Sequence, residues 1–188
     1  MAEFMVTRGT GAGGANTNKN GKPFEEDTNN LQFLLRNYYF IKIKVNLITK
    51  SLKDKTITCM IQNNFKKFIK QILNITMFRI PDEAYYINFN SGRKIIIIVE
   101  KKYQYREGSV ETKLWACPAL KREYEILFGP EYEIHYCLVI NEFLKNKLKS
   151  NKPKYIILNQ ILSENNIKVF YGSDTEYFDK INNFIFSF

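Results

Sequence analysis

Glu100 and Lys102 stand two apart in the run KIIIIVEKK, and on an extended strand that spacing sends both side chains to one face. Asp82 joins them if AYYINF and KIIIIVE pair as a hairpin, since Asn90-Ser91-Gly92-Arg93 between them is a turn-type sequence. In an antiparallel pair the numbers of facing residues sum to a constant, and a three-residue loop centred on Ser91 makes that sum 182. Asp82 then faces Glu100. Two carboxylates near one lysine, at the end of an apolar strand, are costly to bury unless a cation neutralises them. A hard ion with oxygen ligands meets that need. Mg²⁺ is expected, with Mn²⁺ as a substitute, because such an ion keeps several waters and binds through one or two carboxylates plus phosphate. It would lower the pKa of a bound water and orient a scissile phosphodiester, while Lys102 orients or deprotonates that water and stabilises the pentavalent phosphate. The duller reading makes Glu100 and Lys102 an exposed ion pair at a sheet edge. The alignment of Asp82 favours the site.

The surrounding sequence supplies elements to hold these residues. Pro23 suits the first position of a helix, and FEEDTNNLQFLLRNYYF follows with acidic residues in the first turn, predicting a helix over about 23–37. Residues 38–49 alternate apolar and polar side chains and 55–62 are β-branched, so both read as strands. A helix is expected over 64–75, another over 109–128 with an interruption near Pro118, and a buried strand over 133–141. A strand, a helix and a further buried strand suggest a βαβ crossover beside the hairpin. The tail shows helical patterns near 142–149, 154–166 and 175–184, with a short strand KVFYG before the last. Residues 1–22, rich in Gly, Asn and Thr, read as a flexible arm or loop. Residues 23–188 read as one domain without an internal linker.

Composition bounds the function. The chain has 188 residues with 28 Lys and Arg against 19 Asp and Glu, and a surplus of nine positive charges attracts polyanions, nucleic acid first among them. The bland alternative is the Lys- and Asn-rich drift of an A/T-rich genome. With 45% apolar residues, a packed core is expected rather than disorder. The longest apolar run, Ile95 to Val99, is far below the roughly 20 residues that cross a bilayer, so no membrane role is expected, and Met1 to Thr10 carry no signal-like segment. Cys59, Cys117 and Cys137 are odd in number and widely spaced, and the single His135 completes no zinc site. His135 itself reads as a core or rim residue, and Trp115 as core. A reducing compartment follows, either cytoplasmic or alongside viral DNA.

Taken together, GTGAGGANTNKNGKPFEEDT, PDEA and EKKYQYREGSVETKL resemble the PD-(D/E)XK nuclease superfamily, and within it the small type II restriction endonucleases of bacteria and large DNA viruses. The resemblance spans about residues 9–141 and implies an α/β fold, an αβββαβ core with a mixed sheet flanked by helices. It implies that Asp82 and Glu100 are metal ligands, helped by the main-chain carbonyl of Lys101, and that Lys102 is the catalytic lysine. Glu25 matches the acidic residue of the first helix that many members direct at the metal, with Glu26 as its rival; either could instead only complement the helix dipole. Gln104, Asn16, Asn18, Lys19 and Asn20 become candidates for contacts with DNA, where amide side chains read adenine edges and loop amides and lysine grip phosphate. One departure stands out: Lys101 is charged where an apolar residue is usual. It points to the opposite face of its strand, which argues against a buried sheet there unless the strand end is exposed to solvent.

The function these readings lead to is Mg²⁺-dependent, sequence-specific hydrolysis of double-stranded DNA. One active site per chain makes a two-fold homodimer the expected way to cut both strands of a short palindrome. Two alternatives stand beside it: a repair or recombination nuclease that recognises branched or damaged DNA by shape, and a non-catalytic DNA-binding module.

Overall fold

The computed structural model describes residues 15–108 and 110–188, with side chains from residue 21 onward. Their strands form one sheet in the order β1-β2-β3-β4-β5-β6-β7. The strands are β1 (Ile41–Lys44), β2 (Leu47–Ser51), β3 (Lys55–Ile61), β4 (Glu83–Phe89), β5 (Lys94–Lys102), β6 (Glu133–Ile140) and β7 (Ile167–Tyr171). The pairs from β1 to β5 are antiparallel, and β5-β6 and β6-β7 are parallel. The result is a mixed α/β architecture with a mostly antiparallel sheet flanked by helices.

The apolar run Ile95–Val99 explains the position of β5. All five residues are fully buried, and alternate ones face opposite cores. Ile96 and Ile98 belong to one core, with side chains from α3 (Asn63–Leu73), α4 (Val110–Trp115), α5 (Cys117–Phe128), α6 (Glu142–Leu148) and α7 (Pro153–Glu164). Ile95, Ile97 and Val99 belong to the other, with α1 (Ala15–Asp27), α2 (Asn30–Asn37) and α8 (Tyr177–Phe186). A strand covered on both faces reads as a continuous apolar run. Each such side chain removed from water contributes about 1.5–3 kcal/mol.

Four local readings are corrected. The helix expected over 23–37 is two helices, and Pro23 lies inside α1 rather than at its start. The break falls at Thr28-Asn29: the Asn29 side chain accepts the N–H of Gln32 and starts α2, while the Thr28 hydroxyl donates back to the carbonyl of Phe24. The alternating stretch 38–49 is two antiparallel strands, because Asn46 adopts a positive φ of 63° and turns the chain. The loop reading of 1–22 fails for residues 15–22, which are helical; residues 1–14 lie outside the described residues. Trp115 is exposed rather than core. Among the described residues, no helix is long and apolar enough to cross a membrane.

Candidate functional site

The hairpin pairs Glu83 with Val99 and Asn88 with Lys94, and so has the register with facing numbers summing to 182. Asp82 lies one residue before β4 and beyond the ladder, yet it still meets β5: its Oδ2 accepts the main-chain N–H of Lys101 at 2.7 Å. Lys102 stands between the two acids. Its Nζ donates to Glu100 Oε2 at 2.7 Å and to the Lys101 carbonyl at 3.2 Å, and lies 3.9 Å from Asp82 Oδ2. The Asp82, Glu100 and Lys102 side chains are 22%, 15% and 18% exposed, so these charges interact through a medium less polarisable than bulk water.

Burial raises the pKa of Glu100, and Asp82 adds to the effect while Lys102 opposes it. For Lys102, burial acts to lower the pKa, but Glu100 and Asp82 outweigh it and the net shift is upward. The ammonium therefore holds two crowded carboxylates together. Glu25 belongs to α1, on the other side of the sheet, and feels the charges of the site: burial raises its pKa first, repulsion from Asp82 second, against the pull of Lys101 and Lys102. Glu26, the alternative carboxylate, is exposed.

The side of the site away from solvent is lined by Tyr124 and Tyr136. Both hydroxyls are buried without a hydrogen-bond partner, and both pKa values are raised, by burial first and by Glu100 next. Cys117 lies in the same layer, its thiol pushed up to about 11 by burial despite Lys102, which makes it a packing residue and not a nucleophile.

The donor set fits a hard cation. Asp82 and Glu100 offer carboxylate oxygens and the Lys101 carbonyl faces the same side, as its contact with Lys102 requires. Among the described residues, no three His, Cys, Asp or Glu groups gather into a cluster able to hold an ion. Two acids and a carbonyl would leave most of a coordination shell to water, a donor set that would suit Mg²⁺ better than a caged Ca²⁺ or Zn²⁺.

Other candidates are placed elsewhere. Gln104 is 5% exposed, its Nε2 donates to the carbonyls of Arg106 and Gly108, and its main chain pairs with Asn141. β5 ends at Lys102, and Gln104 organises the loop that follows. Asn16, Asn18, Lys19 and Asn20 lie in α1, and their side chains are outside the described residues. Tyr105, just beyond β5, is exposed. His135 pairs with Glu133 and packs against Phe188 at the rim. A groove lined by Arg122, Gly129, Tyr132 and Glu133 lies at the opposite end of β6 and takes no part.

Two groups carried no clear signal in the sequence. Arg79, held by Glu123 at 2.9 Å, lies close enough to Glu100 to draw its pKa down. Glu83 is fully buried and binds Lys101, with Nζ and Oε2 3.1 Å apart. The same register rule could have found it, since Glu83 and Lys101 each follow a site acid and so share the opposite face.

No protein-family model and no curated protein matches the chain. Among solved structures it is similar to an XisH family protein from Nostoc punctiforme, at 18% identity over 52% of this chain and 71% of that one, with a TM-score of 0.30.

Proposed function

We propose that this protein is a divalent-metal-dependent endonuclease of the PD-(D/E)XK kind, and that it acts as a type II restriction endonuclease, a homodimer hydrolysing both strands of double-stranded DNA at a specific sequence. The observation that carries the reading is the convergence of Asp82 and Glu100 on Lys102 at the end of β5, with Lys102 Nζ 2.7 Å from one acid and 3.9 Å from the other. A purely structural ion pair would need one acid; the second is a like charge that favours a site built for a cation.

Asp82, Glu100 and the Lys101 carbonyl would hold the ion. The ion, when bound, supplies Lewis acidity toward water and the scissile phosphate. Lys102, whose ammonium stands between the two acids, would orient the attacking water and offset charge on the phosphate oxygens. Glu25, from the α1 side, would add a further negative charge near the ion. The positive charge of the chain supports DNA as the substrate, and direct readout falls to loops outside the site.

The test is incubation with plasmid DNA and Mg²⁺. Discrete fragments are expected, and Asp82→Ala, Glu100→Ala and Lys102→Ala should each abolish them while the chain stays folded. Cleavage without a fixed sequence would move the reading to a repair or recombination nuclease. Metal-independent binding with no products would leave a DNA-binding module.

A further inference from the structure

We infer that Lys101, the charged middle residue of the Glu-x-Lys triplet, is a positioning residue: it seats the C-terminal end of α1 through the Thr28 and Glu25 carbonyls and so fixes where Glu25 stands. The inference deepens the proposed nuclease reading and rests on it for the role of Glu25.

The Lys101 side chain is 3% exposed, on the face opposite the site. Its Nζ donates to the carbonyls of Thr28 at 2.9 Å and Glu25 at 3.4 Å. Carbonyls at a helix C-terminus lack intrahelical partners and carry the negative end of the helix dipole, so a buried ammonium is a strong ligand for them. The third partner is Glu83, 0% exposed, whose other oxygen accepts from Tyr85. Tyr85 in turn accepts from Asn30 at 2.7 Å, and the Asn30 main chain donates to Glu83 at 3.4 Å. Lys101 and Glu83 thereby join β4, β5, α1 and α2 at one point. Tyr177 reaches the Thr28 carbonyl from α8 at 3.2 Å, and Gly172 leaves room for Phe24 and Thr28 beside it.

The coupling to the site is covalent and short. Asp82 precedes Glu83 and Glu100 precedes Lys101, so alternation along β4 and β5 places the two acids on one face and the clamp on the other. Glu25 belongs to a helix of that opposite layer, and its own main-chain carbonyl is one of the groups Lys101 holds. The seat of α1 therefore decides where that carboxylate stands. A buried pair of this kind adds little stability over an apolar pair of similar volume, which leaves geometry as its contribution.

The test compares wild type, Lys101→Met/Glu83→Leu, Glu25→Gln and the combined triple variant, with urea unfolding as a folding control. Two readouts besides cleavage are used: Mn²⁺ affinity by electron paramagnetic resonance, and amide hydrogen exchange over residues 24–28. The double variant should unfold as wild type does, exchange faster at 24–28 and bind Mn²⁺ about tenfold more weakly, as loss of a supporting contact does. Glu25→Gln should weaken Mn²⁺ to the same degree, and the triple variant no further. Lys101→Arg, which keeps the cation, should retain most of the affinity. Wild-type exchange and affinity in the double variant, or additive losses in the triple, would overturn the inference. Should the double variant not fold, Lys101→Gln/Glu83→Gln carries the same comparison. If wild type shows no Mn²⁺ binding that Asp82→Asn abolishes, the site reading itself falls, and the exchange measurement alone then decides whether Lys101 seats α1.

Discussion

Asp82 accepts the main-chain N–H of Lys101 at 2.7 Å, so the first acid of the site is bonded to the backbone of the triplet that supplies the second. The bond extends the hairpin register one residue past the last ladder pair, Glu83 with Val99, and holds both acids at the same strand end. Asp82→Asn keeps an oxygen acceptor and loses only the charge; Asp82→Ala loses both. The alanine variant should be less stable than the asparagine variant by about 1 kcal/mol, the net worth of one such hydrogen bond, and neither should cut DNA. Urea unfolding together with a plasmid assay checks both halves.

Glu83 and Lys101 face each other in a site nearly closed to solvent. Glu83→Gln strands the ammonium there and should cost about 3–5 kcal/mol of unfolding free energy, whereas Glu83→Leu with Lys101→Met removes both charges and should recover most of it. Denaturant midpoints of the single and double variants read the difference directly.

His135, the chain's one histidine, has its pKa lowered, chiefly by burial, with Lys121 and Arg93 adding to the effect and Glu133 opposing it. A histidine with a folded pKa below its unfolded value of about 6.5 binds fewer protons when folded. Its contribution to stability is therefore complete above that value and is lost as the pH falls toward the folded pKa. The wild-type denaturant midpoint should decline on acidification below about pH 6.5, and His135→Gln should flatten the decline. Equal pH profiles for the two proteins would refute the assignment.

A Cβ on Gly172 would stand 2.5 Å from Thr28 Cγ2 and 2.8 Å from the Phe24 ring. Gly172→Ala should then destabilise by about 1–3 kcal/mol through overpacking, and Thr28→Ser, which deletes the nearer methyl, should return part of that loss. Thermal unfolding of the single and paired variants measures it.

Periodicity made much of the sheet legible: β3, β4, β5 and β6 lie where β-branched runs place them, and a turn at Ser91 suffices to align Asp82 with Glu100. The same method failed where two periods join without a break in pattern. The alternation of 38–49 runs through Asn46, whose left-handed backbone makes a hairpin of one apparent strand. The helical pattern of 23–37 runs through Thr28 and Asn29, where side chains bond to main chain and end one helix to begin another.

Local chemistry determined which residues of this chain are able to act. Two acids and a lysine, with hairpin spacing between them, are written in the order of the amino acids, because a strand alternates and an antiparallel register obeys arithmetic. Tertiary structure alone decided what stands behind them. The charge on Lys101 argued for an exposed strand end until α1 closed over it. Its ammonium is buried because Glu83 and two helix carbonyls replace the water it lost, and partners 18 or more positions away are brought together only by packing the layers.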